Sequence, residues 1–107
     1  MELAFADKSL RDLCESQLKA ERKFGIGIAR ILRTRLADLQ DAESIKDLIA
    51  LGPQIVDSRR GVIELPLGED GRMIFCANHV SIPLEETGDV NWSRVSRIKI
   101  LEIRGDK

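Results

Sequence analysis

Arginine is the residue type in this chain best placed to do chemistry. Arg59 and Arg60 stand side by side in "DSRRGVIELPLGEDGRMIF", just before one strand-like run, and Arg72 opens the next. A guanidinium is planar, donates two parallel hydrogen bonds and stays charged at any working pH, so it suits a phosphate. Such groups also stabilise the extra negative charge that builds on a phosphate under attack. If the two runs pair across the intervening turn, however, Arg72 lies at one end of the ladder and Arg59 and Arg60 at the other. A twisted sheet and the last strand would have to bring them round one face.

Other chemistries are poorly served. His79 is the only histidine and falls in a polar stretch, so a Ser-His-Asp or Cys-His arrangement has little to work with. One histidine and two distant cysteines make no metal-ligand set. Cys14 and Cys76 form no CxxC pair and each sits in an apolar pattern, as reduced core residues do. Glu69 and Asp70 lie in a glycine-flanked turn, where acids are common for turn reasons. Gly25-Ile26-Gly27 lacks the strand and spacing of a nucleotide-binding loop. The expectation is a site without metal or cofactor.

The 107 residues fit one domain, 1–107, with apolar residues at 43% and charged residues at 33%. No apolar run approaches the roughly 18 residues of a membrane span, and no basic-apolar leader opens the chain, so a cytoplasmic protein with no membrane partner is expected. The net charge is −1, which argues against a general nucleic-acid binder. Its distribution is uneven: Lys19 to Arg35 and Arg94 to Lys107 are basic, whereas Leu36 to Ser58 is acidic. Blocks of this kind can make a local positive surface on a nearly neutral molecule.

The elements follow from periodicity. Glu2 to Phe5 reads as a strand. Asp7 can cap a helix carrying Leu10, Leu13, Cys14 and Leu18 on one stripe. Gly25 and Gly27 break it near Lys23 to Gly27, and a second helix continues with Ile28, Leu32, Leu36 and Leu39. Ser44 and Asp47 have the spacing to start a short third, Ile45 to Ala50, which Gly52 and Pro53 stop. Ile63, Leu65 and Leu67 then alternate, Gly68 to Gly71 turns, and Met73, Phe75 and Ala77 share a face, which predicts a hairpin. Asn78 to Ser93 reads as a long polar loop. Val95 to Ile103 reads as a last strand, with Ile98 and Ile100 facing one way and Arg97, Lys99, Leu101 and Ile103 the other. The order predicts an α+β fold with helices layered on one sheet face.

The segments "FADKSLRDLCES", "GIGIARILRTRLADLQDAESIKDL", "RRGVIELPLGEDGRMIF" and "DVNWSRVSRIKILEI" occur in an order and spacing that resembles HigB-like toxins of the RelE superfamily. These are the plasmid-maintenance killer proteins of type II toxin–antitoxin systems. The resemblance covers nearly the whole chain and rests on serial agreement rather than on one motif. It implies a RelE-like fold: an N-terminal strand and two long helices plus a short third, packed on a curved antiparallel sheet. It implies a metal-independent endoribonuclease that cuts mRNA on the ribosome. It also implies a helix-turn-helix, HigA-like antitoxin as partner, with operator DNA contacted only through that antitoxin.

Carried over by position, the resemblance makes Arg60, Arg72 and Lys107 the catalytic residues and Arg59 an RNA-binding one. Arg97 and Lys99 on the last strand are read beside them as RNA-binding cations, and Lys99, with Lys107, is a proton-transfer candidate by elimination. Lys107 stands where many members end in histidine. A lysine's ordinary pKa of about 10.4 makes it a cation near the leaving group rather than a base. Many members also carry a histidine and a lysine where this chain reads Pro53-Gln54-Ile55-Val56. The imidazoles that move protons most readily near pH 7 are therefore missing. The second expectation is a member of the same fold that pairs with an antitoxin but cuts nothing, and the third an unrelated α+β domain.

Overall fold

The computed structural model describes residues 1–105, so Lys107 lies outside the described residues. Strand β1 (Glu2–Phe5) is followed by helices α1 (Lys8–Glu15), α2 (Gln17–Phe24) and α3 (Ile26–Asp41) and by a 3-10 helix, Ile45–Leu51. Strands β2 (Gln54–Asp57), β3 (Val62–Pro66) and β4 (Gly71–Ala77) come next, then a 3-10 turn at Trp92–Arg94 and strand β5 (Arg97–Gly105).

The helices are set by their caps. The Asp7 carboxylate accepts the Leu10 N–H at 2.8 Å and starts α1. Ser16 both ends α1 and starts α2: its N–H reaches the Asp12 carbonyl, and its Oγ accepts from the Lys19 N–H at 3.2 Å. A serine side chain that bonds to nearby backbone competes with helix continuation, so the first long helix expected from the apolar stripe is two helices of 8 residues each. Gly25, at φ 88°, then separates α2 from the 16-residue α3, as the glycine pair foretold. The expected short third helix is the 3-10 segment, where Ser44 Oγ accepts from the Lys46 N–H and Asp47 reaches back to the Glu43 N–H.

The five strands form one sheet in the order β1-β5-β4-β3-β2. The hairpin forms as expected, β3 against β4, with Val62 opposite Cys76 and Pro66 opposite Arg72. Pro66, which cannot donate to a ladder, is the last residue of its strand. The expected curved antiparallel sheet under two long helices and a short third is overturned. The sheet is mixed, because β1 runs parallel to β5, and it is not curled. Curling would bring the outer strands toward each other. Here β1 and β2 are four residues each, remain on opposite edges and are separated by three strands.

One face of the sheet carries the core. Leu32 and Leu39 of α3 pack with Ile63, Leu65, Met73, Phe75, Ile98 and Ile100, all buried, and no polar or charged side chain is buried among the described residues. Asn78 to Ser93 forms the expected long and mostly irregular segment, but it is anchored from within. Val90 and Trp92 are buried in the core, and Trp92 meets Phe75 edge to face with ring centroids 6.2 Å apart.

Candidate functional site

The opposite face of the sheet is covered only by half-exposed and exposed side chains. Alternation along β4 sends Met73, Phe75 and Ala77 into the core and Arg72, Ile74 and Cys76 outward. Their partners on β5 point the same way: Cys76 faces Lys99, Ile74 faces Glu102 and Arg72 faces Arg104. Simple alternation would have turned Arg104 inward with Ile98 and Ile100. A bulge prevents this. Phe75 pairs with Ile100 and Ile74 with Glu102, which leaves Leu101 as an extra residue. An extra residue in one strand reverses the facing of everything after it. Ile103 therefore joins the core, against the expectation that it faces outward, and Glu102 and Arg104 join the open face.

The bulge sets two arginines, Arg72 and Arg104, directly opposite each other on neighbouring strands. Such positions hold Cβ atoms about 5 Å apart, and like charges there are destabilising. Carboxylates on the same face offset the repulsion. Arg72 Nη1 lies 3.1 Å from Glu64 Oε1, and Arg104 Nε lies 2.6 Å from Glu102 Oε2. Further along, Arg97 Nε lies 3.0 Å from Glu2 Oε2. Lys99 has no ion pair among the described residues. It adjoins Cys76, whose thiol is pushed up by burial while the Lys99 ammonium pulls it back. Four cations thus face three carboxylates.

Of the residues expected to make a site, Arg72, Arg97 and Lys99 share this face. Arg97 sits at the far end of β5 from Arg104, roughly 20 Å away at the usual rise per strand residue. Arg59 and Arg60 do not join them. Both lie in the turn between β2 and β3, where the Asp57 carboxylate accepts their backbone N–H groups at 3.1 and 2.9 Å. Arg59 Nε lies 3.5 Å from Asp89 Oδ1, and its Nη1 fills the space a side chain at Gly88 would need. Arg60 is 86% exposed at the side chain, with its Nε 3.9 Å from Asp57. The turn is tied to the last residue of β4, Ala77, whose N–H reaches the Gly61 carbonyl. Arg72 is the second residue of that strand, so roughly 17 Å of strand separates it from Arg60.

His79 Nε2 accepts the backbone N–H groups of Ser96 and Arg97 at 3.0 and 3.2 Å. The imidazole pins the loop to β5, and that lone pair is occupied. No cluster of three or more His, Cys, Asp or Glu suited to a metal occurs among the described residues. No helix among them is long and apolar enough to cross a membrane. Arg104 is the residue that sequence reasoning missed. Its signal was the isoleucine spacing: Ile98, Ile100, then Ile103 breaks a two-residue alternation by one, which marks a bulge. Comparison with protein families, with curated proteins and with solved structures finds no match to this chain.

Proposed function

We propose that this chain is the toxin of a type II toxin–antitoxin pair, similar to HigB proteins of the RelE superfamily, and that it cuts mRNA on the ribosome without a metal. The supporting observation is the Arg72–Arg104 pair, two arginines at opposed positions of β4 and β5 on an uncovered sheet face. A phosphate between them would accept hydrogen bonds from both and relieve their repulsion. In the reaction, the 2′-hydroxyl oxygen attacks the adjacent phosphorus, the bond to the 5′-oxygen breaks, and the proton lost from one oxygen is balanced by one gained at the other. The arginines remain cations throughout. Their part is to hold the phosphate and stabilise its developing charge. Lys99 and Arg97 extend the same face along β5 and would carry neighbouring phosphates. The partner is a helix-turn-helix antitoxin of the HigA type, operator DNA is reached only through it, and the site of action is the cytoplasm.

Induced expression tests this reading. Growth arrest and messenger ends mapped by primer extension are expected for the wild type, with both lost in Arg72→Ala. Intact transcripts and unimpaired growth with the wild type would sink it. A second reading is favoured by a specific set of contacts: Arg60 stands apart from Arg72, Arg72, Arg97 and Arg104 each have a carboxylate partner, and the single histidine is engaged. On that reading the protein pairs with the antitoxin and cuts nothing. Stable complex formation that survives Arg72→Ala, with no cleavage when ribosomes are present, identifies it.

A further inference from the structure

We infer that the outer edge of β2 and the hollow beside it form a docking site for an extended peptide, which adds a strand to the sheet and drops an aliphatic side chain into the hollow. This inference is independent of the proposed ribonuclease activity, since it concerns the edge strand beyond β3 and not the β4–β5 face.

β2 pairs with β3 on one side and ends the sheet on the other. Its outward N–H and C=O groups are a template for another strand. Sheet edges are usually protected by charge, yet Ile55 is 57% exposed, and Val56 and the nearby Leu84 are exposed too. Directly beside this edge lies a hollow of about 360 Å³. Ile55, Val90 and Trp92 line its apolar part, and Ser58, Lys46 and Glu85 its polar part.

Trp92 points to a ligand independently. The residue is 7% exposed, and its Nε1 is sealed from solvent with no acceptor among the described residues. An unpaired buried donor costs about 1–3 kcal/mol. Trp92 lines the hollow, so a peptide carbonyl seated there would supply the acceptor. Glu85 has no ion-pair partner among the described residues and suits a basic residue on the peptide.

A second copy of the chain fits less well. Stable dimers bury about 1,200–2,000 Å², and β2 offers four residues, interrupted by a bulge at Val56 and preceded by Pro53. That short edge suits a flexible segment that also fills the hollow.

A phage-displayed library of random twelve-residue peptides, panned on the intact protein, supplies the probe. The most enriched sequence is synthesised with a fluorescent label and its binding followed by anisotropy. The expected sequences alternate apolar and polar residues. Binding of the unlabelled peptide should also shift the emission of Trp92, the one tryptophan in the chain. Ile55→Lys should weaken binding roughly tenfold or more, and Trp92→Phe, which keeps an aromatic ring and removes the N–H, should weaken it several-fold. Circular dichroism melts confirm that both variants fold. Failure to enrich any peptide, or peptides that bind Ile55→Lys as well as wild type, overturns the inference. So does a sedimenting dimer that Ile55→Lys dissolves, which would give the edge to a second copy.

Discussion

Arginine plays two different parts at the two ends of β4. At the Ala77 end, Arg59 and Arg60 belong to a turn whose geometry is set by Asp57, and their side chains lie against local carboxylates or in open solvent. At the Gly71 end, Arg72 and Arg104 come from strands 32 positions apart in sequence and are set face to face by register alone. The adjacent pair looked like the stronger chemical signal and is the more structural of the two. Adjacency along the chain says little about convergence in space. Strand pairing, and in particular a single bulge, decides which cations share a surface.

The sharpest way to break this contrast is through messenger cleavage. Arg72→Ala and Arg104→Ala should each slow it by roughly a hundredfold or more, the scale expected for losing one preorganised charge-stabilising donor. Arg60→Ala should change it less than about threefold if that residue acts only at the surface. Cleavage rates from primer extension on a defined transcript would decide, and an Arg60 effect as large as that of Arg72 would erase the distinction.

Stability should show the reverse ordering. Asp57→Ala removes the acceptor of two backbone N–H groups and should cost about 1–2 kcal/mol in urea unfolding. Arg72→Ala, which loses one exposed ion pair with Glu64, should cost about 0–1 kcal/mol.

Deleting Leu101 probes the bulge. Without that residue, Ile100, Glu102, Ile103 and Arg104 alternate regularly and keep their present facing, so the variant should fold. Its melting temperature should stay within a few degrees of the wild type, as for a change of about 1 kcal/mol in a domain of this size, and cleavage should persist. Collapse of the fold would mean that the extra twist at the bulge matters beyond facing.

The smallest expected effect concerns the cysteines. Cys14, pushed up to about 11 by burial and then by Glu15, should alkylate later than Cys76, whose rise from burial is partly offset by Lys99. Mass spectrometry after iodoacetamide treatment at increasing pH reads the order. A thiol raised by folding stabilises the native state below its ordinary value, 9.0 for Cys14, and loses that contribution as pH rises through about 11. The melting temperature should therefore fall slightly across that window.

Much of this was legible in the residues. The β3–β4 hairpin followed from unbroken alternation around a glycine turn, α1 from the Asp7 cap, and the α2–α3 break from Gly25. Three things were not. Ser16 has no periodicity to announce it as a helix end. β2 is four residues with a bulge at Val56, too short and irregular to show alternation. Burial of Val90 and Trp92 depends on tertiary packing that a polar neighbourhood conceals. The open face was half visible: Arg72, Arg97 and Lys99 were placed on strands that do share it, while Arg104 needed the β4–β5 register.

Gly61 stands at φ 72°, and a side chain there would meet Val90 Cγ2 at 2.8 Å. The Arg-Arg-Gly triplet is thus a latch plate as well as a turn, since its bare glycine is the notch in which the long loop catches. Filling that notch with a side chain would push Val90 outward and, two residues on, disturb Trp92. The lateral cleft would then lose its floor, so its very existence depends on a residue with no side chain at all.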